Sequence, residues 1–332
     1  MISFSSTWEE IARPKAGDHF NVRRADPRHP LDFWFGRDLN GQYVFYLNFK
    51  DNIPLTVRPI RLLGITTSMV DLGKSQHRLL LILNDPELLD IFRVLCVDLM
   101  RATSDLDRAD ARGLTAVIDR LQRWQNLVQK ARKEILSQSQ IIGLIGELIF
   151  LRDMILPNLS VNDGVHCWRG PYGDEQDFLF SDRIIEVKTQ LSTSDEYLNI
   201  SSEMQLDTDS GPIMVCHQTV SVPAEEDAGA VSLNGLISEL EDVISSADIT
   251  ALDTFQIGLV EAGYLRRGEY DRPLWLLNKR VFFEIRDGFP RIVRSDLVSG
   301  VERVRYRISL QACQDFILTK HEAMKWAFDG GR

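Results

Sequence analysis

The spacing of apolar positions changes several times along the chain, and each spacing predicts an element. Residues 31–82 contain DFWFGRDLNGQYVFYLNF, PLTVRPIRLLGITTSMVDLG and HRLLLILN, rich in the aromatic and β-branched side chains that suit strands. Leu-Asn-Gly at 39–41 lies between two such runs and predicts a hairpin turn. From Asp85, PELLDIFRVLCVDLM puts its apolar residues at helical spacing, with Pro86 suited to a first turn. Residues 1–105 therefore read as an α+β domain. Residues 106–136 read as a long connecting helix, since Val117, Leu121, Trp124, Val128 and Ile135 form one apolar stripe. Off that stripe lie Arg120, Arg123, Lys130, Arg132 and Lys133, with no acid between positions 120 and 133. Such a face is either solvated or a phosphate contact, with Lys130 and Lys133 the candidates.

Ser137 and Gln140 fit a capping box ahead of IIGLIGELIFL at 141–151, which predicts a buried helix ending near Pro157. One carboxylate, Glu147, sits in this run, where a charge is costly unless it is paired or used. Downstream, FLF at 178–180 and RIIEVK at 183–188 read as a hairpin. Strand alternation puts Ile184, Glu186 and Lys188 on one face and Ile185 and Val187 on the other. For Asp177 to share the face of Glu186 and Lys188, it is expected opposite 188, with 179 opposite 186. IMVCHQTVSV, LWLLNKRVFFEI, FPRIVR and VRYRIS predict further strands. SLNGLISELEDVIS, opened by Ser232, and FQIGLVEAGYL predict helices. Residues 137–332 thus form the last domain, with a basic, strand-rich C-terminal portion.

Composition narrows the class. The 332 residues are 44% hydrophobic and 26% charged, as in ordinary globular proteins. Cys96, Cys167, Cys216 and Cys313 lie far apart, without a Cys-x-x-Cys pair or histidines at zinc spacing, and read as reduced thiols. His166 and Cys167 have no second pair and read as core or loop residues, as His217 reads as structural. No apolar run approaches membrane-spanning length and the first residues lack a signal-peptide pattern, which implies a cytoplasmic protein with no membrane partner. A net charge of −10 argues against coating nucleic acid by bulk electrostatics. Between Arg266 and Arg307, however, eleven Lys/Arg stand against six Asp/Glu. Such a stretch is either a nucleic-acid face, with Arg291, Arg294, Arg303, Arg305 and Arg307 the candidate contacts, or a strand-rich surface whose charges alternate without purpose.

The stretches GLIGELIFL, WRGP (168–171), DF (177–178), EVKT (186–189), ISSEMQL (200–206), GFPRI and VRYRISL resemble the PD-(D/E)XK nuclease superfamily, and more closely its bacterial PD-(D/E)XK motif family. The resemblance spans roughly Ser137 to Leu310, with Gln176 in place of the motif's proline. It implies an α/β fold of α+β character: a restriction-endonuclease-like core, its mixed sheet flanked by helices, beside the N-terminal domain. It also implies a DNA endonuclease that uses Mg²⁺, with Mn²⁺ able to substitute. In that reading Asp177, Glu186 and the Val187 carbonyl hold the metal, Lys188 orients the attacking water, and Glu147 supports the metal from the helix. Asp174 and Glu175 crowd the same place and leave the aspartate's assignment open. Gln205 is either a contact to phosphate or water, or a helix-surface residue. The setting implied is bacterial restriction or phage defence, with DNA and protein partners and room for a homodimer. Two alternatives stay open: a catalytically silent DNA-binding subunit, and a structure-specific repair nuclease.

Overall fold

The computed structural model describes residues 8–15, 17–50, 60, 62, 64–106, 112–180, 182–224 and 227–329. The chain forms two units, Met1–Glu134 and Ile135–Arg332. In the first unit, β1 (Phe20–Arg24), β2 (Asp32–Asp38), β3 (Tyr43–Lys50), β4 (Ile65–Gly73) and β5 (Gln76–Leu83) make an antiparallel sheet of order β1-β2-β3-β5-β4. Alternation buries Phe33 and Phe35 on β2, and the turn expected at 39–41 joins β2 to β3. The N-terminal part of the run expected as strand from position 54, up to residue 59, lies outside the described residues.

Asp85 caps a short 3₁₀ turn by accepting from the Glu87 N–H at 3.1 Å, and α1 (Leu89–Arg101) follows. The long helix is α2 (Arg112–Lys133), which belongs to the first unit. It buries Val117, Leu121, Trp124 and Val128 as its stripe predicts, but Ile135 lies beyond its end and is exposed. Arg120 is not available to phosphate: it and the Trp124 indole donate to Asp98 of α1, a buried carboxylate that needs those partners. The side chains of Lys130 and Lys133 lie outside the described residues.

In the second unit, α3 (Gln138–Phe150) starts at the expected Ser137–Gln140 capping box and runs into a π-helical turn at Leu151–Ile155. The short α4 (Val161–His166) leads to the hairpin of β6 (Phe178–Phe180) and β7 (Arg183–Leu191). Then come β8 (Tyr197–Ile200), β9 (Ile213–Ser221), α5 (Leu233–Ala247), α6 (Ile249–Glu261), β10 (Leu276–Ile285), β11 (Tyr306–Ser309), β12 (Ile317–Leu318) and α7 (Lys320–Phe328). The main sheet has the order β12-β10-β9-β7-β6; β7 and β9 run parallel and the other neighbours antiparallel. FPRIVR was expected as a strand. It instead follows the turn at Asp287-Gly288 as irregular chain ending in a 3₁₀ turn, with Arg291 tied to the Leu206 carbonyl at 2.6 Å rather than to a sheet neighbour.

Each face of the main sheet has its own apolar layer. Ile185, Val187, Met214, Cys216 and Val220 pack in one cluster with Ile145 and Leu148 of α3, Leu236 of α5 and Phe255 of α6. Ile184, Ile213, Val215, Phe283 and Ile285 pack on the other with Leu206 and with Leu198, Ile200 and Ile308, the inner side of the β8–β11 ribbon. This is a mixed α/β core with helices on one side and a two-stranded ribbon on the other. No helix among the described residues is long and apolar enough to cross a membrane.

Candidate active site

The site begins where β6 stops. β6 pairs Phe178 with Ile185, Leu179 with Ile184 and Phe180 with Arg183, so β7 runs on past its partner. Extending this register puts Asp177 opposite Glu186, two residues from the expected pairing with Lys188. The correction leaves the shared face intact, because side chains alternate with period two. A residue's N–H and C=O point to the same side of a strand in a pairing position. Both polar groups of Val187 therefore point to the edge β6 has vacated. Asp177 Oδ2 accepts the Val187 N–H at 2.7 Å, and the Asp177 carbonyl accepts from the Arg169 and Gly170 N–H groups.

Glu186 is 2% exposed, covered by Gln205 in the turn after β8. Its Oε1 lies 2.7 Å from Lys188 Nζ and accepts from Gln205 Nε2 at 2.9 Å, while Oε2 has no hydrogen-bond partner. Lys188 Nζ also donates to Gln205 Oε1 at 2.9 Å, and that oxygen accepts from the Ser201 N–H and hydroxyl. Gln205 thus lies in a tight turn, its amide spanning the acid and the amine. Gln176 braces that turn by donating to the Met204 carbonyl at 3.1 Å.

Glu147 comes from α3. Adding a Cβ to Gly146 would overlap Thr189 Oγ1 of β7, so a glycine next to the acid allows the helix to lie directly on the strand. Glu147 keeps some accessible surface, and its Oε2 accepts the Trp168 indole N–H at 2.8 Å. A Cβ on Gly170 would stand 2.9 Å from Asp177 Oδ1 and 3.0 Å from Glu147 Oε2. These two oxygens therefore converge on a small space that only glycine leaves open. Asp174 is engaged by Arg169 at 2.7 Å, and Glu175 by the Ser202 hydroxyl. Neither reaches the Val187 edge as Asp177 does.

Crowding of acids shifts their titration. Burial, and then the Asp177 and Glu186 charges, push Glu147 well above the usual carboxylate range against the Trp168 hydrogen bond and Lys188. Burial pushes Asp177 up to about 6 despite the Val187 N–H and Lys188. Burial and the Asp177 charge push Glu186 up to about 8, with Lys188 opposing. Three acids facing one lysine form a site that a cation would relieve.

The donor set suits a small divalent ion. Glu186 Oε2 and Asp177 Oδ1 are hard oxygens without hydrogen bonds, beside an unpaired strand edge carrying the Val187 carbonyl. Mg²⁺ takes one or two carboxylates and fills the rest with water and substrate oxygens. It does not need a closed set of three acidic or imidazole side chains, and none occurs among the described residues.

Elsewhere, His166 is exposed and bonded to the Asn162 carbonyl, and Cys167 is buried with its thiol on the Gly164 carbonyl. The basic excess is partly spent internally. Arg280 binds Gln218 and Asp153, Arg266 pairs with Glu241, and Arg291 holds the Leu206 carbonyl and the Thr208 hydroxyl. Arg294, Arg303, Arg305 and Arg307 are exposed. The residues that sequence reasoning passed over are Trp168 and Gly170, within the WRGP stretch, and Ser201. Their only sequence signal was membership of the resembling stretches.

A short acid-bearing hairpin partner, a strand carrying Glu-x-Lys on a mixed sheet, and an acid from the helix packed behind it define a PD-(D/E)XK-like α/β fold. Residues 4–311 match the family model described as "Putative PD-(D/E)XK family member, (DUF4420)", and the chain belongs to that family. Neither curated proteins nor solved structures give a match.

Proposed function

We propose that this chain is a divalent-metal-dependent DNA endonuclease of a bacterial restriction or anti-phage defence system. The observation that carries the reading is the convergence of Asp177, Glu186, Lys188 and Glu147 at the vacated edge of β7. Family membership supports a nuclease-like activity. The defence setting rests on the bacterial resemblance alone.

Asp177 Oδ1, Glu186 Oε2 and the Val187 carbonyl would hold Mg²⁺, or Mn²⁺ in its place, with Glu147 in support. When bound, the ion supplies Lewis-acid stabilisation of the phosphoryl oxygens and lowers the pKa of water. Lys188 is held by Glu186 and Gln205 and presents its amine to a water beside the scissile phosphate, orienting it and stabilising developing negative charge. The water oxygen loses a proton to solvent as it bonds to phosphorus, the opposite P–O bond breaks, and the leaving oxygen takes a proton from solvent. Gln205 keeps the acid and the amine in register; it is a positioning residue in this reading. The net charge of −10 predicts weak binding of DNA near physiological salt, where a protein partner would help to deliver the substrate; at low salt the chain should bind and cut alone.

The test is digestion of intact duplex, nicked duplex and branched DNA by the purified chain with Mg²⁺, Mn²⁺ or EDTA. Cleavage of intact duplex that EDTA stops is expected. Cleavage confined to branched DNA would favour repair. Metal binding without cleavage of any DNA would favour a silent subunit.

A further inference from the structure

The ribbon of β8 and β11 has two unlike faces. Leu198, Ile200 and Ile308 are buried in the core, while Asn199, Ser201, Arg305 and Arg307 point the other way and are exposed. The ladder pairs Arg307 with Asn199, and its extension puts Arg305 beside Ser201. These residues and Tyr306 line an open groove of about 410 Å³. At its far end the Arg307 guanidinium lies 4.9 Å from the centre of the Tyr197 ring. Within the paired segment the outward face carries no acid: Asp195 and Glu196 precede β8, and Glu203 is turned inward onto the Arg303 and Val304 N–H groups.

The groove leads toward the candidate active site. Ser201 lines it and also donates, through both N–H and hydroxyl, to Gln205 Oε1; Gln205 in turn bonds Lys188 and Glu186. A basic groove with the Asn199 amide as a further donor is complementary to a phosphodiester backbone. We infer that the outward face of the β8–β11 ribbon is the track on which the DNA backbone lies as it enters the site. This inference rests on the nuclease reading and assigns its substrate contact to Arg305, Arg307 and Asn199, with Ser201 linking the groove to Gln205. Arg291, held by Leu206 and Thr208, is not part of the track.

The experiment measures binding apart from cleavage, using fluorescence anisotropy of a duplex oligonucleotide with the full chain in EDTA across a salt series. The comparison is wild type, Arg305→Gln/Arg307→Gln, Asn199→Asp and the distant control Lys320→Gln. Each phosphate contact contributes about 0.9 to the slope of log affinity against log salt. The double variant should therefore lose about 1.8 from that slope and bind at least tenfold more weakly. Asn199→Asp, which puts an acid against Arg307, should also weaken binding, and Lys320→Gln should match wild type. Unchanged affinity and slope in both ribbon variants, with wild type binding, overturn the track and leave the nuclease reading standing. No binding of any nucleic acid by wild type at low salt overturns both. Binding of RNA through these residues in preference to DNA overturns the DNA assignment of the track.

Discussion

Lys188 Nζ lies 2.7 Å from Glu186 Oε1, and the Gln205 amide bonds to both groups. The acid is almost fully buried and the lysine side chain keeps 16% of its surface, so the pair is held in protein and stays open to an incoming substrate. Removing one member leaves the other poorly solvated, which costs more than removing both charges. Lys188→Ala should destabilise the fold by about 1–3 kcal/mol, and Lys188→Ala/Glu186→Gln should recover much of that loss. Urea unfolding of the two single variants and the double variant checks it. Additive effects would show that the pair is not coupled.

Gly170 should be intolerant of even a methyl group for functional reasons. The added carbon would stand between Asp177 Oδ1 and Glu147 Oε2 and push both from the space they share. Mg²⁺ is expected to raise the melting temperature of the wild-type protein, and Gly170→Ala to abolish that rise while the metal-free variant still unfolds cooperatively. A full Mg²⁺-dependent rise in this variant would place the cation elsewhere.

Gly146 acts through packing. A side chain there meets Thr189 Oγ1 and must lift α3 from β7, and overpacking of this kind costs about 1–3 kcal/mol. Thr189→Ala removes the nearest atom but leaves the Thr189 Cβ 2.6 Å away, so Gly146→Ala/Thr189→Ala should recover part of the stability that Gly146→Ala loses. Chemical denaturation of the three variants measures the rescue, and no rescue would contradict the close helix–strand contact.

The helix, the hairpin and the shared face of Glu186 and Lys188 were legible because local rules set them. Ser137 and Gln140 mark the start of α3, and period-two alternation puts Glu186 and Lys188 on one face. What joins them was not legible. Trp168 reaches Glu147 across 21 residues, and Gln205 reaches Glu186 across 19, contacts made only once the sheet has assembled. The register of Asp177 failed by two residues because alternation fixes parity and leaves position to the length of the turn. FPRIVR looked like a strand by composition, but Arg291 is committed to the Leu206 carbonyl and the chain follows that anchor.

His217 gives the protein an acid-sensitive position. Burial, and then the charge of Lys279, lower its pKa to about 4, and its Nε2 has no hydrogen-bond partner. The unfolded chain titrates near the ordinary histidine value, about 6.5. The neutral ring therefore contributes stability that is present above pH 6.5 and lost as pH falls toward 4. Melting temperatures of wild type and His217→Gln between pH 7.5 and 4 should converge as the solution is acidified. Parallel curves would remove His217 as the cause.

The central claim is that the acids and lysine at the vacated edge of β7 cut DNA with a divalent ion. The direct measurement incubates supercoiled plasmid with the purified chain in Mg²⁺, Mn²⁺ or EDTA, beside Asp177→Asn and Lys188→Ala proteins shown to be folded. Nicking and linearisation are expected in either metal and none in EDTA. Each variant should lose about 10²-fold or more in rate. Cleavage by Asp177→Asn and Lys188→Ala at the wild-type rate, or cleavage undiminished in EDTA, would contradict it.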